Sequence, residues 1–208
     1  MVRLVERTSR ALAIGAHPDD LEVGAGGLIA RLGHVVMVVA SIPNRFDERL
    51  AEAREGAARL GARLVVLGDR TGPSRVDDRP LHVLVEQLAA LVDEHAPDLV
   101  ITHAGDDLHA DHVAVHRATI AALGERRTRC DVLAYHASPD LAAIPRRVGP
   151  CFADITPTID AKLAAIAAHA TQFPTAAAVQ ARREHARVAG LLSGTTYAEP
   201  FELLRLYV

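Results

Sequence analysis

Short apolar runs alternate with longer helix-like stretches along most of this chain. Five of these runs have the length and apolar content of strands, and they cover residues 11–16, 34–41, 62–68, 98–103 and 131–137. Their apolar residues are nearly continuous instead of alternating with polar ones, which is typical of strands buried on both faces. Such strands, separated by helices, predict an α/β fold with a mostly parallel sheet covered on both sides.

Four helices are predicted between these strands, at residues 24–33, 47–60, 80–96 and 110–123. Gly61 and Pro97 directly follow two of them, and both residue types commonly end helices. The C-terminal third differs, because it predicts a short strand, two helices and a final strand, at residues 151–155, 157–170, 176–192 and 200–208. Residues 138–150 are predicted to form a loop, with a place over the site.

The overall composition predicts one domain, residues 1–208, in the cytoplasm. The hydrophobic content of 50% and charged content of 24% suit a single sizeable core. A net charge of −3 and an aromatic content of 3% argue against binding to nucleic acid or to an anionic membrane. The N-terminus does not resemble a signal peptide, and no run approaches the roughly 18 apolar residues of a membrane span. Cys130 and Cys151 are expected to be reduced, buried thiols.

The segment AHPDDLEVGAGG, residues 16–27, places two adjacent aspartates where the first predicted strand ends. Asp19 and Asp20 repel each other, and a carboxylate removed from water is costly unless a positive group pairs with it. The segment is therefore either a solvated turn, with Pro18 fixing the backbone and an aspartate capping the next helix, or a site for something positive.

The glycines of the same segment invite a second interpretation, a dinucleotide-binding loop. Gly24 and Gly26 are followed by residues that do not complete a GxGxxG pattern. The acidic pair before them would also repel a pyrophosphate. Close packing of a helix on a strand is the better explanation of these glycines.

A second group of ionisable residues follows the fourth predicted strand, in GDDLHADHVAVH, residues 105–116. His109, His112 and His116 have spacings that place them on one face of a helix, with Asp111 between them. An HxxH pair alone is more often two surface histidines. However, ligands bind beyond the carboxyl ends of parallel strands, and this segment and the HPDD segment both lie there.

The combined pool of histidines and aspartates predicts a metal site. Two histidines and one carboxylate with open positions suit a catalytic metal, most often Zn²⁺. The same ligands can hold Fe²⁺, so the ligand types alone do not fix the metal.

The two motifs together, AHPDD.E.G.GG and D.H.DH, resemble those of the LmbE-like, or PIG-L-type, metal-dependent de-N-acetylases. RLAEAREGAARLGA, FADITPTIDAKLAAIAAHATQF and YAEPF resemble later segments of the family. The resemblance implies a Rossmann-like three-layer sandwich and hydrolysis of the acetamide of an N-acetylated amino sugar or amino-sugar conjugate. It implies a small-molecule partner; whether the chain forms a homo-oligomer is left open.

The resemblance also assigns roles to residues. His17, Asp20 and His112 match the metal ligands. Asp19 matches the general base, His109 the residue that stabilises the oxyanion and protonates the leaving amine, and Asp111 the acid that orients His109. Arg49 and Asp69 resemble substrate contacts. Ala110 stands where the family usually has proline, which should loosen the start of the helix without removing a ligand.

Other functions stay open at this point. The same site could hydrolyse a different amide, such as an N-acyl amino acid or a thiol conjugate. A non-catalytic metal-binding protein is disfavoured, because a scaffold has no need of a base and an acid beside three ligands. An Fe²⁺ oxygenase is disfavoured because such sites usually lie in β-barrels, although fold does not decide function.

Overall fold

The computed structural model describes residues 2–72, 74–125, 128–137 and 151–207. Within these ranges the chain forms seven strands, seven α-helices and one short 3-10 helix. The loop predicted at residues 138–150 lies outside the described residues. None of the described helices is both long enough and apolar enough to cross a membrane.

The strands form one mixed, mostly parallel sheet. They are Ala11–Gly15 (β1), Val35–Val39 (β2), Arg63–Val66 (β3), Leu99–His103 (β4), Asp131–Tyr135 (β5), Cys151–Asp154 (β6) and Ala198–Arg205 (β7). Their order in the sheet is β3-β2-β1-β4-β5-β7-β6. The first five strands pair in parallel, whereas β7 runs antiparallel to both β5 and β6. The predicted fold class is confirmed.

The helices are Val2–Arg7 (α1), Asp20–Leu32 (α2), Phe46–Arg59 (α3), Leu81–His95 (α4), Ala110–Glu125 (α5), Ile159–Ala168 (α6) and Ala176–Ser193 (α7). Helix α1 was not predicted from the sequence, because its short span has no strong apolar period. The start of α2 was predicted at residue 24, whereas the helix begins at Asp20. Acidic residues in a first helical turn are stabilised by the helix dipole, and α2 carries Asp20 and Glu22 there.

The core consists of two apolar layers, one on each face of the sheet. Side chains alternate along β1, so that Ala11 and Ala13 join one layer while Leu12 and Ile14 join the other. The first layer packs against α2, α3, α6 and α7, and the second against α4 and α5. The molecule is thus a three-layer sandwich, as the sequence predicts.

The chain order reverses at β1, which has β2 on one side and β4 on the other. Such a switch point leaves a crevice beyond the carboxyl ends of the two diverging strands. The HPDD segment follows β1 directly and the segment with His109 and His112 follows β4. The fold therefore brings the two predicted motifs to one place.

Two glycines of α2 allow the helix to lie close to the sheet. A Cβ atom on Gly24 would lie 2.0 Å from Cδ2 of Tyr135, and one on Gly27 would lie 2.6 Å from Cβ of Ile155. Neither position has room for a side chain. This confirms the close-packing interpretation of the glycines.

A buried ion pair joins α2 to the C-terminal part of the chain. The Glu199 carboxylate accepts hydrogen bonds from the backbone N–H groups of Gly27 and Leu28, each at 2.8 Å. Lys162 pairs with Glu199 and donates to the carbonyl oxygen of Val23 at 2.6 Å. Both charged side chains are almost fully buried, at 4% and 3% exposure. The pair therefore forms hydrogen bonds with backbone groups in the middle of α2.

Replacing Glu199 with glutamine should destabilise the protein strongly. The substitution leaves the Lys162 ammonium buried without its counter-charge, which typically costs about 3–5 kcal/mol of unfolding free energy. Urea unfolding followed by circular dichroism measures this loss. Glu55→Gln is the matched control, because Glu55 forms an exposed ion pair with Arg59 and should change stability by less than about 0.5 kcal/mol. Equal midpoints for the two variants would contradict the structural role of Glu199.

Candidate active site

A cavity of about 890 Å³ lies at the carboxyl ends of β1 and β4. Seven of the eight residues predicted for the site line it: His17, Asp19, Asp20, Arg49, His109, Asp111 and His112. The eighth, Asp69, is not among the lining residues that the structure describes. The topology thus brings together residues that are far apart in the sequence.

The HPDD turn fixes its aspartates through the backbone. One carboxylate oxygen of Asp20 accepts hydrogen bonds from the N–H groups of Ala16, at 3.1 Å, and His17, at 2.8 Å. Asp19 has a left-handed backbone with φ of 91°, which aspartate tolerates better than most residues. The turn therefore directs the two carboxylates differently, with Asp20 inward and Asp19 toward the cavity.

The predicted ligands gather around the buried carboxylate of Asp20. His17 Nδ1 lies 3.7 Å from Asp20 Oδ2, and His112 Nε2 lies 3.5 Å from Asp20 Oδ1. The structure does not group His17, Asp20 and His112 in a single tight set. Instead, two overlapping sets each place their ligand atoms within 4.8 Å of one another, namely His17, His109 and His112, and Asp20, His103 and His112. His112 belongs to both sets.

The second ring nitrogen of each predicted histidine ligand lies close to a carboxylate. His17 Nε2 lies 2.8 Å from Asp111 Oδ2, and His112 Nδ1 lies 3.0 Å from Asp107 Oδ2. This leaves His17 Nδ1 and His112 Nε2 toward Asp20. Metal-binding histidines commonly have such a carboxylate partner, which orients the ring and raises its basicity. The donor set and its orientation therefore fit a divalent metal.

The charges around His112 also favour a cation at this place. Burial alone would lower the pKa of His112, but the flanking carboxylates of Asp107 and Asp20 raise it to about 10. Burial likewise opposes ionisation of Asp20, yet hydrogen bonds with His103 and His112 hold its pKa well below the usual value. A negative carboxylate thus lies in a position that stabilises positive charge.

His103 also belongs to this cluster. From the sequence it was given only a possible place in the pocket lining. Its fully buried ring stacks on His112 with 3.9 Å between ring centroids. Its Nε2 lies 3.0 Å from the Ala16 N atom, 3.2 Å from Asp20 Oδ2 and 3.2 Å from the Tyr135 hydroxyl. Burial lowers the pKa of His103 to about 4, so it is neutral at pH 7. The sequence feature that could have indicated its membership of the cluster is its position at the end of β4, beside β1.

Asp19 lies between the buried cluster and the cavity. Its side chain is 20% exposed, and Oδ1 accepts a hydrogen bond from Arg49 Nη2 at 3.1 Å. Burial and the adjacent charge of Asp20 raise the pKa of Asp19 to about 7, although Arg49 opposes this. A carboxylate with such a pKa can accept a proton near neutral pH.

The partner of Asp111 differs from the expectation that it orients His109. Its carboxylate contacts His17 and accepts a hydrogen bond from the Asp77 N–H at 2.9 Å. These two interactions hold the pKa of Asp111 well below its usual value, although burial opposes them. The reason is that Asp111 lies in the first turn of α5, which faces the end of β1, while His109 precedes the helix.

His109 is the exposed histidine of the cluster. Its ring lies 4.5 Å from the ring of His112 and 5.1 Å from that of His17, measured between centroids. The Asp111 N–H donates to His109 Nδ1 at 3.2 Å. Partial burial and the neighbouring histidines lower the pKa of His109. The side chain is placed at the cavity, with its backbone held by Asp107.

The two predicted substrate contacts have different surroundings. Arg49 is 5% exposed and donates to the Pro18 carbonyl at 3.0 Å as well as to Asp19, so it supports the HPDD turn. Asp69 is exposed, and its Oδ1 accepts hydrogen bonds from Thr71 and Gly72. A substrate role of either residue stays a prediction. Ala110 is the first residue of α5, so the helix forms without the proline.

Three histidines and four aspartates line one switch-point cavity, and they define an α/β protein with a candidate metal-dependent catalytic site. The family model for PIG-L, GlcNAc-PI de-N-acetylase, matches residues 12–123. The chain belongs to this family. The match spans both motifs and all of the residues that line the cavity except Ala137 and Gln172.

Named relatives cover most of the chain at modest identity. A 1D-myo-inositol 2-acetamido-2-deoxy-alpha-D-glucopyranoside deacetylase of Mycobacteroides abscessus is 28% identical over 80% of this chain and 82% of its own length. The uncharacterized deacetylase YaiS of Escherichia coli is 28% identical over 60% of this chain and 71% of its own length. Both relatives are named as deacetylases.

Solved structures share the fold over nearly the whole chain. A conserved protein of Thermus thermophilus has a TM-score of 0.76 and 27% identity, covering 95% of this chain and 96% of its own. The N,N'-diacetylchitobiose deacetylase of Pyrococcus horikoshii has a TM-score of 0.73, 20% identity and coverages of 97% and 86%. GalB of Pseudomonas putida, a 4-carboxy-2-hydroxymuconate hydratase, has a TM-score of 0.74, 23% identity and coverages of 96% and 97%. The fold therefore also occurs in an enzyme that is not a deacetylase.

Proposed function

We propose that this chain is a metal-dependent hydrolase, with Zn²⁺ as the metal, that removes the acetyl group from an N-acetylated amino sugar or amino-sugar conjugate. The observation that carries the proposal is the position of His17 and His112 around the buried carboxylate of Asp20. Each histidine has one ring nitrogen toward Asp20 and the other beside a second carboxylate. The names of the relatives support the choice of an acetamide as the substrate group.

His17, Asp20 and His112 are the residues that would hold the metal. Two histidines and one carboxylate are a common ligand set of catalytic Zn²⁺, and Fe²⁺ also accepts them. When bound, such an ion supplies Lewis-acid polarisation of the acetyl carbonyl and lowers the pKa of a water. Asp111 and Asp107 would keep the two imidazole rings in place.

Asp19 would act as the general base. Its carboxylate lies beside Asp20 and lines the cavity, so it can take the proton of the water that attacks the acetyl carbon. The hydrogen bond from Arg49 holds Oδ1 in one orientation and leaves Oδ2 for the proton. Arg49 would thus be a positioning residue for Asp19.

His109 would stabilise the developing oxyanion and protonate the leaving amine. An amine is a poor leaving group, so amide hydrolysis needs a proton donor on its side of the bond. His109 lines the cavity, and while Nδ1 of the neutral ring accepts from the Asp111 N–H, its Nε2–H can donate a hydrogen bond to the oxyanion. To protonate the amine, the ring would first take up a second proton from solvent, and delivery of that proton would return it to the neutral form. The proton taken up by Asp19 and that delivered by His109 balance over the cycle.

The proposed partner is a small molecule that enters this cavity, and the proposed location of the protein is the cytoplasm. Arg75 and Gln172 line it together with the cluster and offer hydrogen-bond donors to sugar hydroxyls. The substrate roles proposed for Arg49 and Asp69 would be tested by their effects on KM. Association of the chain into a homo-oligomer stays a prediction.

The deciding experiment combines metal analysis with acetate release. We expect about one Zn²⁺ in the purified protein at the site formed by His17, Asp20 and His112, which we call the primary site. Acetate release from N-acetylglucosamine conjugates should disappear after chelation and return on adding Zn²⁺, with Fe²⁺ compared under anaerobic conditions. The matched negative substrates are N-acetyl amino acids and N-acyl thiol conjugates.

Two results would contradict the proposal in different ways. Metal without acetate release from any sugar conjugate would exclude the deacetylase assignment while retaining the metal site. Absence of metal even after reconstitution would mean that HPDD and HADH serve only as a turn and a helix start.

A further inference from the structure

A second group of potential metal ligands lies beside the cavity and has no part in the proposed chemistry. It consists of Asp106, His136 and Glu202, which each offer a ligand atom within 4.8 Å of those of the other two. The three residues come from separate places in the fold. Asp106 follows β4, His136 directly follows β5, and Glu202 lies on β7 opposite Ala134 of β5.

The contacts within this group leave one buried acceptor unused. His136 Nε2 lies 3.0 Å from Asp106 Oδ1, and the His136 side chain is only 12% exposed. Glu202 Oε1 is inaccessible to solvent and has no hydrogen-bond partner in the described part of the chain. A buried carboxylate oxygen without a partner is costly, and it indicates a group that is missing from the contacts.

The group also lacks a basic partner other than His136 within the described part of the chain. Among those residues, neither Asp106 nor Glu202 forms an ion pair with an arginine or a lysine. Two carboxylates with one imidazole therefore create a negative site that attracts a cation. One nitrogen and two oxygen ligands suit divalent transition metals, with Zn²⁺ among them.

We propose that Asp106, His136 and Glu202 form a second divalent-metal site, separate from the site at Asp20. Ligands about 2.1 Å from a tetrahedral ion lie about 3.4 Å from one another, and the three ligand atoms here all lie within 4.8 Å of one another. Asp106 can adjust its position around an ion because its side chain is 51% exposed. The same exposure makes the second site weaker than the buried first site.

A bound ion at this site would connect three parts of the fold. Asp106 precedes Asp107, the carboxylate that contacts His112, so the ion would tie the β4–α5 connection to β5 and β7. The second site does not depend on the proposed function, because its ligands take no part in the hydrolysis.

Zn²⁺ titration of metal-free protein, followed by isothermal calorimetry and by metal analysis after dialysis, tests the proposal. We expect two Zn²⁺ per chain in the wild type, with distinct affinities, and one in His136→Ala and in Glu202→Gln. His112→Ala should also bind one, at the weaker affinity. His34→Ala, which removes an exposed histidine outside both groups, should still bind two.

One Zn²⁺ per chain in the wild type that is retained in both His136→Ala and Glu202→Gln would overturn the proposal, as would two in both variants. Circular dichroism of each variant identifies any loss of binding that results from unfolding, and Glu202→Gln provides a test that keeps the side-chain size. Acetate release is not a readout here, so failure of the deacetylase assignment would leave these stoichiometries interpretable.

Discussion

Asp19→Asn should keep the bound metal and lower turnover about 10²- to 10⁴-fold, the usual contribution of a general base. Asparagine is well suited to this test because it tolerates the left-handed backbone that residue 19 adopts, with φ of 91°. Its amide oxygen can also still accept the hydrogen bond from Arg49. The substitution therefore removes the capacity to take a proton and little else. Metal analysis and the steady-state rate of acetate release are measured on the same preparation.

Asp160→Asn is the matched control for this prediction. Asp160 is an exposed aspartate on α6 that pairs with Arg183, far from the cavity lining, and both metal content and turnover should be unchanged. If Asp19→Asn released the metal, Asp19 would be a ligand and the division of roles between the two aspartates would be wrong. If turnover were retained, another group would have to take the proton.

The convergence of the two motifs was predictable because it follows from topology. Near-continuous apolar runs indicate a parallel sheet, and the carboxyl ends of parallel strands lie at one edge. His17 lies two residues after the end of β1, and His109 follows the end of β4, which is the neighbour of β1 in the sheet. No side-chain detail is needed for that inference.

The partners of the ligand histidines could not be predicted in the same way. Asp111 contacts His17 although the two residues are separated by 94 positions in the sequence. Asp107 contacts His112 because of how the chain enters α5, and this depends on backbone angles that the residue pattern does not determine. His103 was placed at the end of its strand, but its stacking on His112 depends on the packing of α5 against β4.

The first two helices were also less predictable than the strands of the sheet. The short helix α1 has no apolar period that marks it, and the start of α2 was obscured by glycines that normally disfavour helices. These glycines are retained because Tyr135 and Ile155 occupy the space where side chains would lie. Tertiary packing thus overrode local propensity within the segment that carries the metal motif.

His112→Ala should abolish metal binding at the primary site and, with it, acetate release. His112 Nε2 lies 3.5 Å from Asp20 Oδ1, and His112 belongs to both sets of potential ligand atoms around the cavity. His82→Ala is the control, because it removes an exposed histidine from α4 and should leave the primary metal and the rate unchanged.

Asp107→Asn should give an intermediate result that tests the orientation of the ligand. Its Oδ2 lies 3.0 Å from His112 Nδ1, whereas His112 Nε2 is the nitrogen toward Asp20, so its replacement should weaken metal affinity about 10- to 100-fold without abolishing it. High metal concentration should then restore acetate release in Asp107→Asn but not in His112→Ala. If both variants lost metal affinity equally and high metal concentration did not restore acetate release, Asp107 would be among the ligands. If Asp107→Asn kept full metal affinity, His112 would be oriented by other contacts, such as its stacking on His103.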